Sequence, residues 1–277
     1  MKILNNHEMQ IAEDVLLKHF PRSLKVYGVL TLNRNKPTTV EVLVDTWPDF
    51  NVIICRPDPK NILSSKFGRT VSYYSTDEQI LRRMMSEENA VDWSSNLDIH
   101  AFDMLNAPML QQLSSDRGIS CRSIVVGRLL YLPDSTSLIS PTVDSELESR
   151  LSSLDVSHAD LVSQSWMFGA DEQTVDYIKL LLSNFLSCCI TDDQGQPVSW
   201  LLVYDFGALG FLYTRPEHRR KGYAKVLIST VAQRRLAQGC PVYAYVDENN
   251  SASYRLFKNL GFSDDPSYRA GWFEFNC

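Results

Sequence analysis

The spacing of apolar residues changes several times along the chain. Between Glu8 and His19, Ala12, Val15 and Leu16 recur at helical spacing and Pro21 closes the run, which predicts a short helix. Leu24–Leu32, Val40–Thr46 and Phe50–Cys55 are short runs rich in apolar and β-branched residues, which predicts strands. The turn Asn33-Arg34-Asn35-Lys36-Pro37 separates the first two, and Arg56-Pro57-Asp58-Pro59 closes the third. A helix is predicted over Asp77–Met85 and a strand over Ile124–Leu132. Asp134–Glu148 holds Ser, Thr and Pro but few large apolar residues, so a domain boundary is expected there, between a region 1–140 and a region 150–277.

Beyond that stretch the periods alternate. A helix over Asp171–Ser183 leads to a strand over Phe185–Ile190, the turn Gly195-Gln196-Pro197, and strands over Val198–Tyr204 and Gly207–Thr214. A long helix follows, roughly Lys221–Gln238, with Ala224, Leu227, Ile228 and Val231 on one face and Gly239 and Pro241 at its end. Val242–Val246 reads as a strand. Asn249-Asn250-Ser251 caps a helix that buries Leu256, Phe257 and Leu260 and stops at Gly261; Trp272–Phe275 is a last strand. Strands in series followed by a strand–helix–strand–helix unit predict a mixed α/β sheet with helices on its faces.

With 277 residues, 44% hydrophobic and 22% charged, the chain is long enough for two ordinary domains of a globular protein. No apolar run is long enough for a membrane-spanning helix. The N-terminus has neither a secretory apolar core nor the Arg-rich character of a mitochondrial presequence. The six cysteines form no CxxC pair and no His spacing suggests zinc, so no metal site is expected; adjacent Cys188 and Cys189 read as buried free thiols. The net charge of −6 argues against a nucleic-acid groove.

Against that acidic background one basic cluster stands out. Arg219, Arg220 and Lys221 follow a predicted strand, and Gly222-Tyr223-Ala224 opens the long helix. A Gly-containing turn there leaves amide donors without partners at the positive end of the helix dipole, which is a site for a phosphorylated ligand.

Arg219-x-x-Gly222-x-Ala224, followed by the unit Val246 to Phe262, resembles the acetyl-CoA signature and next strand–helix of the GCN5-related N-acetyltransferase (GNAT) superfamily. Ser23-Leu24-Lys25-Val26-Tyr27-Gly28, Val44-Asp45-Thr46-Trp47-Pro48-Asp49-Phe50, Leu154 to Val162 with Trp166 and Phe168-Gly169, and Pro197-Val198-Ser199-Trp200 then resemble the glycine N-acyltransferase family over nearly the whole chain. This resemblance implies two GNAT-like units, the first divergent and without a phosphate loop. It also implies transfer of an acyl group from acyl-CoA, a co-substrate and not a resident cofactor, to the amino group of glycine or a similar amino acid in a ternary complex. Glutamine, and a protein or peptide N-terminus, are alternative acceptors. Leu212, Tyr213 and Thr214 would lie along the pantetheine arm, Arg219, Arg220, Lys221, Gly222, Tyr223 and Ala224 around the phosphates, and Asn250 nearby. A free amide near Leu212 would face the tetrahedral oxyanion.

The chain departs from the family pattern at the reacting groups. The family's general base, a Glu early in the strand, aligns with Ala208, and the general acid Tyr of the last helix aligns with Phe257. Asp205, Glu217 or His218 are candidates for the base and Tyr254 for the acid; a chain lacking both groups also fits a CoA-binding protein without catalysis. Structural roles are expected for His158 as a local cap, for Asp45 and Asp49 around a turn, for Arg56 in a surface ion pair, and for two of Trp47, Trp166 and Trp200 in the core. The family's glycine-conjugating members imply a mitochondrial location, with the cytoplasm as alternative; a monomer is expected.

Overall fold

A computed structural model describes residues 1–33, 40–58, 69–167, 169 and 171–277. The predicted turn at 33–37, Pro59 and Phe168 therefore fall wholly or partly outside the described residues. The chain divides into two compact units, Met1–Leu129 with Asp265–Cys277, and Leu130–Asp264.

The first unit contains β1 (Lys2–Ile3), α1 (Asn6–Leu17), α2 (Leu24–Asn33), β2 (Val40–Val44), β3 (Val52–Pro57), β4 (Thr70–Ser75), α3 (Glu78–Ser86), β5 (Leu97–Asp103), α4 (Ala107–Ser115) and most of β6 (Cys121–Tyr131). Helix α1 starts at a capping box in which Asn5 and Glu8 satisfy each other's backbone amides. Strands β1 to β4 pair antiparallel in sequence order, and β4 pairs parallel with β5 through Thr70–Asp98 and Val71–Ile99. The buried core gathers Leu43, Ile54, Leu81, Met84, Ile99, Phe102 and Phe273. Trp93 also belongs to it, its indole N–H donating to the Met85 carbonyl at 2.8 Å.

The run at Leu24–Leu32, expected as a strand, is helix α2. Its β-branched Val26 and Val29 favour a strand locally and its Gly28 disfavours a helix, but Leu24, Val26, Val29 and Leu30 are all buried, and the helix packs against α1, β3 and β4. Tertiary burial overrides the weak local preference. The Ser23 hydroxyl, donating to the Leu16 carbonyl at 2.7 Å, ties the helix start to α1.

The second unit contains α5 (Ser145–Ser149), β7 (Leu151–Ser152), α6 (Ala159–Ser165), α7 (Glu172–Asn184), β8 (Ser187–Thr191), β9 (Pro197–Val203), β10 (Leu209–Thr214), α8 (Tyr223–Ala237), β11 (Tyr243–Asp247), α9 (Ser251–Lys258) and β12 (Ser263–Asp264). Its strands run in the order β11-β10-β9-β8-β7, antiparallel except that β10 and β11 are parallel. All residues of β9 are buried, because both α7 and α8 pack on it; this explains its unbroken apolar sequence. Helix α8 buries Val226, Leu227, Ile228, Val231 and Ala232. Removing one such side chain, as in Leu227→Ala, costs about 2–5 kcal/mol. The helix ends where buried Arg235 turns its guanidinium onto the Pro241 carbonyl, at 3.1 and 3.2 Å.

The final strand β13 (Ala270–Phe275) pairs antiparallel with β5 and β6 and counts with the first unit. A division into 1–140 and 150–277 assigns it to the other region: the chain's last strand returns to a sheet begun far upstream, a long-range pairing that no local breaker marks.

Candidate active site

Strand β10 ends at Thr214 and the chain reaches α8 through residues 215–222, which include a 3₁₀ turn at Pro216–His218. Two residues of this connection have left-handed backbone, Arg220 at φ 62° and Gly222 at φ 80°. Gly222 is the N-cap of α8 and provides no side-chain acceptor. Lys225 N and Val226 N return to the Gly222 carbonyl at 3.0 and 3.3 Å. Among the described residues no protein acceptor meets the amides of Arg220, Lys221, Gly222, Tyr223 or Ala224. The space beside Gly222 is open, with no atom within 4 Å of where a Cβ would stand. The helix start is thus an unfilled anion cradle.

Cations surround it. Arg219, Arg220 and Lys221 are exposed. The Arg219 Nε donates to the Thr214 carbonyl at 3.0 Å and its guanidinium lies 5.8 Å from the Tyr213 ring, which anchors one edge and leaves the terminal nitrogens for a ligand. The structure adds Arg150, which the sequence did not point to. Its guanidinium sits 5.7 Å from the ring of Tyr223, the first residue of α8, with Nε donating to the Thr191 carbonyl at 2.6 Å. His218 stacks on the same Tyr223 ring at 6.5 Å.

Beside the cradle, β10 departs from its neighbours on both sides. Its parallel pairing with β11 is confined to Leu209 opposite Ala244. On the β9 side the register jumps between Gly210–Leu202 and Tyr213–Trp200, so Phe211 and Leu212 both stand opposite Leu201. This β-bulge places Phe211 at φ 51°. Tyr204 covers the strand just before the bulge; a Cβ on Gly210 would lie 2.0 Å from its ring, so only Gly permits that approach. Phe211 meets Trp166 at 4.7 Å and Tyr204 at 5.0 Å between ring centres. The Ser199 hydroxyl donates to the Tyr213 carbonyl at 2.9 Å and lies 2.7 Å from the Thr214 hydroxyl, which fixes the far end of the strand.

The candidate reacting groups have defined partners. Ala208, at the expected base position, is 1% exposed. The Asp205 carboxylate, in the turn from β9 to β10, accepts from the Tyr177 hydroxyl of α7 at 2.9 Å. Burial, reinforced by the adjacent carboxylate, raises the Tyr177 phenol well above its ordinary value, so it remains a donor. The Tyr254 hydroxyl donates to both Asp264 oxygens at 3.3 Å, and Lys258 Nζ reaches Asp264 at 3.0 Å. Phe257 is core, edge-on to Phe262 at 4.9 Å. Asn250 Oδ1 accepts from Ser253 N at 3.0 Å, capping α9, while Glu217 is exposed.

His158, Asp45 and Arg56 take the structural roles expected of them. His158 Nδ1 accepts from Asp155 N at 3.2 Å, Asp45 accepts from Asn51 N and Val52 N at 2.9 Å, and Arg56 pairs with Glu41 at 2.7 Å. One tryptophan is core and not the two expected: Trp200 is 1% exposed, whereas Trp47, beneath Lys2, and Trp166, against Phe211, are half-buried. Burial pushes the Cys189 thiol up to about 11 and Cys55 up to about 12. Among the described residues, no cluster of His, Cys, Asp or Glu is arranged to hold a metal, and no helix is long and apolar enough to cross a membrane.

The family described as aralkyl acyl-CoA:amino acid N-acyltransferase matches residues 1–186, and that of FR47-like protein matches residues 189–270. The chain belongs to the aralkyl acyl-CoA:amino acid N-acyltransferase family. It is 30% identical to a glycine N-acyltransferase-like protein, Keg1, of Mus musculus, covering 99% of this chain and 97% of that protein. Glycine N-acyltransferase of Homo sapiens is 29% identical over 97% of this chain and 96% of its own. Among solved structures, a Drosophila protein superposes with a TM-score of 0.79 at 19% identity, covering 99% of this chain and 97% of that one. A tandem GNAT protein from the clavulanic acid pathway superposes with a TM-score of 0.55 at 14% identity, over 98% and 96%. The fold is therefore the tandem GNAT architecture, and the protein is an acyl-CoA-using N-acyltransferase by family.

Proposed function

We propose that this acyltransferase conjugates the acyl group of an acyl-CoA with the amino group of glycine. The observation that carries the reading is the uncapped start of α8, with five consecutive amides lacking protein acceptors and cations around them. Those amides take the pyrophosphate of coenzyme A, and Gly222 lets the diphosphate approach the backbone. Arg219, Arg220, Lys221 and Arg150 neutralise the phosphates, the guanidiniums in bidentate fashion. The pantetheine arm pairs with β10 along Leu212, Tyr213 and Thr214, where β11 no longer pairs with that strand. The bulge at Phe211–Leu212 turns an amide toward the thioester carbonyl, where it stabilises the negative oxygen of the tetrahedral adduct. Attack is direct, so no covalent enzyme intermediate forms, and holding the two substrates together supplies much of the acceleration.

The names of the relatives support glycine as first acceptor; glutamine is the second candidate. Amino-acid conjugation in the mitochondrion by a monomer completes the reading, on family grounds. The test is release of free CoA thiol by the purified protein with benzoyl-CoA and fatty acyl-CoAs against an amino-acid panel. Thiol release with glycine above the blank is expected; none with any pair rejects the assignment.

A further inference from the structure

We infer that Asp205 and Tyr177 together form the proton-accepting group of the transfer reaction, with Asp205 as the base and Tyr177 as the residue that positions it. The inference rests on the transfer reading above. It answers a difficulty in that reading: the amine arrives as an ammonium ion and must lose a proton, yet Ala208 occupies the place of the expected carboxylate.

Three observations point to the pair. Asp205 lies in the turn that feeds β10, a few residues before the bulge, and is half-buried. Its neighbour Tyr204 lies over Gly210 and touches Phe211, so the turn and the bulge share one aromatic wall with Trp166 and Phe206. The carboxylate is held from another element, by the Tyr177 hydroxyl of α7 at 2.9 Å. Among the described residues, three phenols face it: Tyr177 from α7, Tyr204 from its own turn, and Tyr243 from β11, whose hydroxyl donates to the Phe206 carbonyl. Burial raises all three, so each remains neutral. A carboxylate oriented by a neutral donor beside the reacting strand has the chemistry of a general base.

The proton path closes. The ammonium gives one proton to the Asp205 carboxylate. The freed nitrogen lone pair forms the C–N bond to the thioester carbonyl carbon, and the C–S electron pair leaves with sulfur. The proton still carried by the adduct nitrogen passes to the thiolate, giving amide and CoA thiol, and Asp205 returns its proton to water.

The test is kcat at saturating acyl-CoA and glycine as a function of pH for wild type, Asp205→Asn, Asp205→Glu and Tyr177→Phe, with acyl-CoA affinity measured by calorimetry on each. Asp205→Asn is expected to lower kcat about 10²–10⁴-fold with acyl-CoA affinity unchanged, and Asp205→Glu to recover part of the loss. Tyr177→Phe removes a donor to the charged form, so the Asp205 pKa rises and the acidic limb of the kcat profile moves up by about one pH unit. A Tyr177 with only a packing role lowers Tm and leaves the limb in place, which overturns its positioning role. Wild-type turnover that survives Asp205→Asn overturns the base while leaving the transfer reading intact. No wild-type turnover with any acceptor overturns both.

Discussion

Each unit joins a parallel strand to a helix, and the two joints differ. In the second unit residues 215–222 separate β10 from α8, and the helix begins at a glycine without a side-chain cap. In the first unit only Thr76 and Asp77 separate β4 from α3, and the Asp77 carboxylate accepts from Gln79 N at 2.8 Å and Ile80 N at 3.0 Å. The amides that one helix offers to a ligand are already satisfied in the other by the chain's own anion. The bulges do not separate the units, since β5 carries Ala101 at φ 55° where its pairing with β13 slips, much as β10 carries Phe211 at φ 51°. Both units thus share the strand irregularity, and the helix start is where they differ.

The sharpest way to break this comparison is to transplant the cap. Gly222→Asp places a carboxylate where Asp77 stands in the first unit, and Asp is among the residues that tolerate the left-handed backbone found there. The internal anion and the phosphate then compete for the same amides, so acyl-CoA affinity is expected to fall about 100-fold, ~3 kcal/mol. Calorimetry with CoA on protein of native far-UV spectrum measures it, and an unchanged Kd removes α8 from the phosphate site.

A smaller effect is expected at Arg150. Its guanidinium stands against Tyr223 at the edge of the cradle and contributes one cation among several. Arg150→Ala is expected to raise KM for acyl-CoA about tenfold with kcat unchanged. It should also weaken the salt dependence of binding, since one fewer charge is screened. A fall in kcat with unaltered KM contradicts a role confined to the phosphates.

The sequence disclosed these two joints unequally. Arg219-x-x-Gly222-x-Ala224 is a local signal because a ligand-binding turn draws its donors from adjacent residues, and the strand and helix on either side were legible with it. Arg150 and Tyr177 reach their places through contacts across the fold, to Tyr223 and to Asp205, and nothing in their own neighbourhoods marks them. In the first unit β5 was hidden by polar residues on a buried strand: Asp98 is 8% exposed, and burial drives the His100 imidazole down to about 3, keeping it neutral. Strand β4, with Ser72 buried and Tyr73 in the core, gave no apolar alternation either. Helix α2 reads as a strand for the complementary reason, because its apolar residues cover more than one helical stripe. The divergent half is thus the less legible, since its inward positions no longer follow a simple apolar pattern.

The smallest expected effect tests what loop length contributes beyond the cap. Asp77→Ala removes the carboxylate from the amides of Gln79 and Ile80, which costs about 1 kcal/mol of stability and lowers Tm by about 2–4 °C. The amides gained are not expected to bind CoA. The joint remains locked by the Ser75 hydroxyl, which donates to the Asp77 carbonyl at 2.8 Å and accepts from residue 77's amide at 3.1 Å, and it has no cluster like Arg219-Arg220-Lys221. Calorimetry on Asp77→Ala should therefore return the wild-type Kd and one equivalent of CoA. A second equivalent would mean that a single carboxylate, and not the longer basic connection, is what separates the silent helix start from the binding one.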